Sequence, residues 1–369
     1  MITKKLAVLL VVFLFCVTVC WSESVPQTNS GVLVGLRNDT GEEWDESTYR
    51  TFWITSESAQ ITVREATGIV TPYGDRFWQI DSRSLKGKLK TYGMSGDYGQ
   101  LRIDYLSVHP LGQPSTDRGV PPEYLKSLTE AGWIDVVESV KLTFVGNKYT
   151  CVTEHNSYES GGTMRPWFRN IYVREIKNLN GNVVTTNSDK AKPEVSINQV
   201  FGEGARSYIK KYRSMKITEE GALDPQRYEH VENETDEYGW GLARKTGRWI
   251  PQIAKKWSYG NASTGFATYT LYDLPLPIPK NIVPYNNTMC NYEALKKVVP
   301  GIKDAVVSPN QSLSVVISGG ELQVYPGSKF ENPVRIKLGA KESIIMAEWA
   351  VGKYVPQWTQ QLEKYFKLR

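Results

Sequence analysis

The chain has 369 residues, with 44 basic and 39 acidic side chains, and its formal net charge is +5. The balanced charge and the 40% hydrophobic content exclude a disordered chain, and the positive charge is too small and too dispersed for a nucleic-acid-binding protein. Four cysteines exclude a disulfide-dense scaffold, and three histidines leave little for a histidine-rich metal site. The sequence implies no cofactor.

The N-terminus has the layout of a secretory signal peptide. Lys4 and Lys5 form a basic head, an apolar run extends from Leu6 to Cys20, and polar residues begin at Ser22. As a helix this run spans about 22 Å, which is less than the ~30 Å hydrocarbon core of a bilayer. The sequence therefore predicts an exported protein with residues 1–24 as its signal peptide.

Three processing events fit this segment. Small residues favour cleavage after Ser22 or after Ser24. Alternatively, Val17-Thr18-Val19-Cys20 resembles a bacterial lipobox, in which Cys20 is lipidated, although Val19 stands where a smaller residue is usual. The expected location is extracytoplasmic, either secreted or lipid-anchored to the outer face of the cell membrane. The membrane is reached only through this lipid or through an uncleaved signal.

The segments that follow predict an α+β, β-rich fold with antiparallel sheets in two or three modules. Residues 25–110 predict an N-terminal antiparallel β module, because apolar residues alternate with polar ones, as at Leu101, Ile103 and Tyr105. Residues 111–273 predict an α+β middle module with short helices. Ser196 and Gln199 match a capping box at one helix start.

The last third of the chain predicts a linker and a further module. Four prolines in residues 274–285 favour an extended, polyproline-like linker. Residues 286–369 predict a C-terminal β module. Trp358, Leu362 and Phe366 recur with helical spacing, so the module ends in an amphipathic helix that docks on the last sheet.

The aromatic content is the best pointer to function. The chain has 11 tryptophans and 21 tyrosines. Exposed aromatic rings on a β-surface stack on sugar rings, whereas buried rings fill the cores of small β modules. The candidate ligand-binding residues are Trp167, Phe168, Trp240 and Trp249.

Two cysteines lie beyond the signal segment. Cys151 and Cys290 either pair in a disulfide across a long loop, which would stabilise the chain by roughly 3–5 kcal/mol, or stay as two buried thiols. The sequence alone leaves both alternatives open.

Catalytic and metal-binding motifs are missing from the sequence. It contains no zinc-protease helix, nucleophile turn or phosphate loop. His109, His155 and His230 are the only histidines that could assist a nucleophile, and we expect structural or surface roles for them. The acidic runs at 39–46 and 229–237 lack the spacing of a calcium loop, so no metal site is predicted.

Two stretches resemble known families. The first lies within residues 141–213 and includes the loop Tyr158-Glu159-Ser160-Gly161-Gly162 and the helix start Val195–Gly202. This stretch resembles a domain of unknown function in lysozyme-sensing anti-sigma factors and peptidoglycan deacetylases. Thr163-Met164 replaces the Ala-His of that family's loop. The resemblance implies a cell-envelope setting and an α+β middle module, and it transfers no catalytic residue. The chain otherwise resembles uncharacterised secreted proteins and lipoproteins of Gram-positive bacteria.

Residues 308–325 resemble a blade fragment of a bacterial β-propeller, but the hairpin does not repeat upstream. The sequence thus predicts an exported, non-catalytic cell-envelope protein that binds a protein or a cell-wall partner. The alternatives are a cell-wall glycan-binding module and a hydrolase with an unfamiliar site. The hydrolase predicts a pocket that holds a carboxylate pair or a histidine beside a nucleophile.

Overall fold

The computed structural model describes residues 29–41, 45–90, 98–116, 119–160, 167–179, 194–214, 237–259, 266–286, 291–327 and 329–369. The predicted signal segment with Cys20 lies outside these residues, as do His230 and Cys290. The predicted α+β, β-rich class is confirmed, because strands dominate and the helices are short.

The strands in chain order are β1 (Ser30–Asp39), β2 (Ser47–Glu57), β3 (Gln60–Thr67), β4 (Ile69–Tyr73), β5 (Arg76–Lys90), β6 (Tyr98–Pro110), β7 (Asp135–Val145), β8 (Tyr149–Glu159), β9 (Trp167–Glu175), β10 (Trp240–Lys245), β11 (Arg248–Tyr259), β12 (Phe266–Asp273), β13 (Ile302–Val307), β14 (Leu313–Ser318), β15 (Glu321–Pro326), β16 (Val334–Lys337), β17 (Glu342–Val351) and β18 (Lys367–Leu368). The helices are α1 (Pro122–Glu130), α2 (Ile197–Phe201), α3 (Glu203–Ser214), α4 (Tyr292–Val298) and α5 (Tyr354–Leu362), and Ile176–Asn178 forms a 3-10 turn.

The strands form three sheets. A five-stranded sheet has the order β17-β1-β2-β3-β18, a nine-stranded sheet has the order β10-β11-β12-β9-β8-β7-β6-β5-β4, and a four-stranded sheet has the order β13-β14-β15-β16. Neighbouring strands are antiparallel except for short parallel contacts between β6 and β7 and between β9 and β12.

The five-stranded sheet lies between the other two. On one face of β1, Val32, Val34 and Leu36 pack with residues of the four-stranded sheet. On the other face, Leu33 packs with residues of the nine-stranded sheet. Because side chains alternate along a strand, a strand that is apolar on both faces belongs in the middle of a layered core.

The sheets do not follow the predicted module boundaries 25–110, 111–273 and 286–369. β1 pairs with β17 from Ser30↔Val351 to Asn38↔Glu342, so the two ends of the chain share one sheet. β4, β5 and β6 leave the N-terminal strands and join the nine-stranded sheet. A strand's own pattern reveals which face is apolar, but it does not reveal a partner that lies far away in the sequence.

The predicted linker, residues 274–285, is part of the core. Leu274, Ile282 and Val283 are buried and belong to the same apolar cluster as Trp249. The prolines keep the segment free of regular structure, but the apolar residues between them hold it against the protein.

The C-terminal helix docks as an amphipathic helix on the five-stranded sheet, where it shares an apolar cluster with Ile345 and Ala350 of β17, and not on the four-stranded sheet β13–β16. In α5, Val355 and Leu362 are buried, and Trp358 packs on Trp53 of β2 and Phe77 of β5. The Trp53 indole N–H donates to Thr359 Oγ1 at 3.1 Å.

The nine-stranded sheet folds back on itself. Trp240, Leu242 and Ile253 of β10 and β11 pack against Cys151 and Ile171 of β8 and β9. This contact covers only one end of β7, β8 and β9. The other end, which includes Glu138 and His155, lies outside the fold-back.

Glycine is required where β10 crosses β8. A Cβ on Gly241 would overlap the Cys151 sulfur and lie 2.8 Å from Ile171 Cδ1. We expect Gly241→Ala to lower the free energy of unfolding by about 1–3 kcal/mol in urea titrations, because the core must shift.

Gly204→Ala is the matched control, because Gly204 lies in α3 and its nearest contact would be Leu276 Cδ2 at an ordinary 3.6 Å. We expect this variant to stabilise the protein by about 0.5–1 kcal/mol. Equal effects of the two substitutions would contradict the packing at Gly241.

Candidate functional site

A buried polar zone lies at the centre of the nine-stranded sheet. Glu138 and Ser139 of β7 and His155 and Asn156 of β8 are each at most 5% exposed. The register pairs Glu138 with Asn156 and Ser139 with His155, so one pair lies on each face. Burying polar groups is unfavourable unless they bind something, so a sheet that is polar on both faces indicates a functional region.

One face of this zone is a row of side chains from four neighbouring strands, and we call it the tryptophan face. It consists of Asp104, Ser139, His155, Trp167 and Arg169. Ser139 is paired with His155, and His155 is paired with Arg169. The parallel pairing of β6 with β7 ends at Ile103 and Glu138, and Asp104 and Ser139 are the next residues along the two strands.

The tryptophan face has a buried floor and a half-buried rim. Asp104, Ser139 and His155 are buried, whereas Trp167 and Arg169 are half-buried. The Trp167 ring stacks on His155, with the ring centroids 6.1 Å apart and the planes at 25°. The Arg169 guanidinium lies over the Tyr269 ring, 5.4 Å from its centroid. These contacts fix the rim aromatic and the rim cation in one geometry.

The charges around this face are mainly positive. Arg102 lies 3.5 Å from Asp104, and Lys141 lies 3.6 Å from Asp39. Arg169 is a third cation at this face, so three positively charged side chains lie near the two carboxylates of Asp104 and Asp39. Burial raises the pKa of Asp104, although Ser84 and Arg102 oppose that shift.

His155 is neutral at physiological pH. Burial, together with the positive charges of Arg102 and Lys141, lowers its pKa to about 4. The ring therefore contributes a flat aromatic surface and hydrogen-bonding capacity rather than positive charge.

The order of residues on the tryptophan face does not match a catalytic triad. A triad needs the histidine between the nucleophile and the acid. Here Ser139 lies between Asp104 and His155, and two strand spacings put the backbones of Asp104 and His155 about 10 Å apart. Asp104 therefore does not occupy the position directly beside the histidine that the acid of a triad occupies.

The opposite side of the zone, which we call the glutamate face, consists of Glu138, Asn156, Glu154, Tyr124 and Tyr158. The Tyr158 hydroxyl donates to Glu138 Oε1 at 2.8 Å, and the Tyr124 hydroxyl of α1 donates to the same oxygen. Burial raises the pKa of Glu138 to about 7; the two hydroxyls oppose this shift, and the negative charge of Glu154 adds to it.

The structure places only one of the four predicted aromatic residues on a polar surface. Trp167 lies on the tryptophan face, whereas Phe168 points to the other side of the sheet and packs 6.4 Å from Tyr158. Trp240 is fully buried, and its indole N–H donates to the Val195 carbonyl at 2.7 Å. Trp249 is 4% exposed and packs on Phe144.

Trp240 and Trp249 are therefore corrected from ligand-binding candidates to core residues. The physical reason is the fold-back of β10 and β11, which presses both indoles against β7, β8 and β9. Trp240 has no exposed surface, and Trp249, although it lines a small pocket with Arg244 and Trp349, is only 4% exposed, so neither indole offers a face on which a sugar ring can stack.

The other predicted residues divide between structural contacts and undescribed parts of the chain. His109 is buried, and its Nε2 lies 3.1 Å from Asp81 Oδ2. Cys151 is buried, and burial raises its pKa to about 11. Cys151 is therefore a free buried thiol, and the predicted disulfide between Cys151 and Cys290 is not formed. Cys20 lies outside the described residues, so its lipidation stays a prediction.

Sequence reasoning missed Glu138, Asn156 and Asp104. A signal was present in β7, because the consecutive polar residues Glu138-Ser139 stand between Val137 and Val140, and β8 carries an unbroken polar run from Thr153 to Ser157. Consecutive polar residues leave neither face apolar, which is unusual in a buried strand.

The acidic runs take part in structural contacts where they are described. Glu46 pairs with Lys86 at 2.6 Å, and Glu237 accepts hydrogen bonds from Ser196 and Asn198 at the start of α2. Within the described ranges, no group of three or more His, Cys, Asp or Glu side chains is arranged to hold a metal ion. None of the helices in these ranges is both long and apolar enough to cross a membrane.

Comparisons with protein-family models, with curated proteins and with solved structures each give no match for this chain.

The Glu138 pKa predicts a pH dependence of stability. Its folded value of about 7 lies above its ordinary value of 4.5, so the folded protein binds the proton more tightly than the unfolded chain. This stabilisation is complete below about pH 4.5 and is lost as the pH rises through 7. We expect Glu138→Gln to remove about 3 kcal/mol of pH dependence between pH 4.5 and 8 in urea titrations.

Other groups titrate in the same range, so the informative quantity is the difference between wild type and Glu138→Gln at each pH. A difference that stays constant across this range would contradict a raised Glu138 pKa.

Proposed function

We propose that this protein is an exported, non-catalytic binding protein of the cell envelope, and that its ligand is an acidic cell-wall glycan held at the tryptophan face. Trp167 is the observation that carries the proposal. It is a half-buried indole at the rim of a buried polar floor, and it is fixed against His155.

Each part of a sugar acid has a matching group on this face. The apolar side of a sugar ring packs on an indole, which offers a large rigid surface. Asp104 and Ser139 can bind ring hydroxyls from the floor. Arg169 at the rim can bind a carboxylate or phosphate through two parallel N–H groups.

Two further observations support the remaining parts of the proposal. The residue order Asp104, Ser139 and His155 opposes a serine hydrolase and supports a binding role. The basic head and apolar run of residues 1–24 support export, and the resemblance of residues 141–213 supports an envelope setting.

The test is co-sedimentation of the protein with insoluble peptidoglycan. We expect Trp167→Ala to weaken binding at least about tenfold, because it removes the stacking surface, and Arg169→Ala to weaken it with a loss of salt dependence. Trp78→Ala is the matched control, since Trp78 is also half-buried in the nine-stranded sheet but packs on Tyr73 at the other end. It should bind within about twofold of wild type.

Three outcomes would contradict the proposal. The first is equal loss in the Trp167 and Trp78 variants. The second is binding that disappears when the cell wall is stripped of protein, which would indicate a protein partner instead. The third is release of soluble sugars from the wall, which would indicate the hydrolase alternative.

A further inference from the structure

Two buried oxygen atoms stand side by side on the glutamate face. Glu138 and Asn156 are 2% and 5% exposed, and they are directly paired across β7 and β8. Paired side chains on one face have Cβ atoms about 4.5–5.5 Å apart. Within the described part of the chain, Glu138 Oε2 and Asn156 Oδ1 accept no hydrogen bond.

The hydroxyl protons nearby are already used. Tyr124 and Tyr158 both donate to Glu138 Oε1, and Tyr172 donates to Glu154 Oε1. Below about pH 7 the Glu138 proton can lie on Oε2 and be donated to Asn156 Oδ1. Once Glu138 is ionised, both of these atoms are acceptors, and Glu154 adds negative charge on the same face. A group with several N–H donors and a positive charge complements this arrangement.

Aromatic side chains lie next to Glu138 on the glutamate face. Tyr124 and Tyr158 contact Glu138 through their hydroxyls, and the Tyr158 ring packs 5.4 Å from Trp133 and 6.4 Å from Phe168. Aromatic rings attract organic cations through their negative faces. A hard metal ion instead takes six or more oxygen ligands, which this face does not offer.

We propose that the glutamate face binds a primary ammonium group, which donates to Glu138 Oε2 and Asn156 Oδ1 between the rings of Tyr124 and Tyr158. The ligand class is a primary alkylamine, such as the amino group of an amino sugar or of a diamino acid. This site lies on the opposite side of the sheet from Trp167. Ammonium binding here can therefore be tested independently of glycan binding at the tryptophan face.

Ammonium binding to this face requires an ionised Glu138. Because burial and Glu154 keep the Glu138 proton bound up to about pH 7, binding below that pH must release a proton to solvent. The affinity therefore rises with pH through 7. The titratable groups that face Glu138 are Tyr124 of α1 and Glu154 and Tyr158 of β8.

The probe is ethylammonium chloride at about 100 mM and pH 8, compared with tetramethylammonium chloride, which has the same charge but no N–H group. We expect ethylammonium alone to raise the melting temperature of the wild-type protein by about 2 °C. Calorimetric titration near pH 7 in buffers of different ionisation enthalpy should detect proton release.

Glu138→Gln should weaken ethylammonium binding at least about tenfold, because Gln has the shape of the neutral acid but carries no charge. Asn156→Ser is a second variant that should also weaken it. Glu348→Gln is the matched control, because Glu348 is a buried glutamate of β17 with a pKa raised by burial to about 8. It should retain the full ethylammonium effect.

Equal stabilisation by tetramethylammonium or by potassium chloride would overturn the assignment to an N–H donor. An ethylammonium effect that survives in Glu138→Gln would overturn the assignment to this face.

Discussion

The rest of the structure depends on the pairing of β1 with β17. It closes the two ends of the chain into one sheet and makes β1 a strand with apolar side chains on both faces. Val32 and Val34 pack on the four-stranded sheet, while Leu33 packs on the nine-stranded sheet. Without this middle layer, neither of the outer sheets would have an apolar partner at these positions.

Polar contacts fix how the middle layer meets β7. The register of β7 shifts between Leu142 and Phe144, and such a bulge leaves backbone groups outside the ladder. The Leu142 N–H donates to the Tyr49 hydroxyl at 3.0 Å, and Arg37 donates to the Leu142 carbonyl at 2.9 Å. The bulge therefore lies where side chains of β1 and β2 satisfy it, and the polar zone begins beyond it.

The sequence predicted local features better than partners. Alternation predicted strands such as β6, and the capping box of Ser196 and Gln199 is present at the start of α2. The partner of β1 could not be predicted, because Val32 and Leu33 show only that both faces are apolar. Likewise, Trp167 and Trp240 are chemically alike, and only the fold-back of β10 decides which indole is buried.

The polar zone shows why a sheet can be hydrophilic on both faces and still be stable. Burial shifts Glu138 and His155 in opposite directions, the pKa of one rising to about 7 and that of the other falling to about 4. Both shifts favour the neutral form. Between these two values, adjacent strands therefore carry an uncharged acid and an uncharged base on opposite faces. Burying a neutral group costs less free energy than burying a charged one, so the neutral forms lower the cost of this zone, and each face keeps a group whose protonation can change when a charged ligand binds.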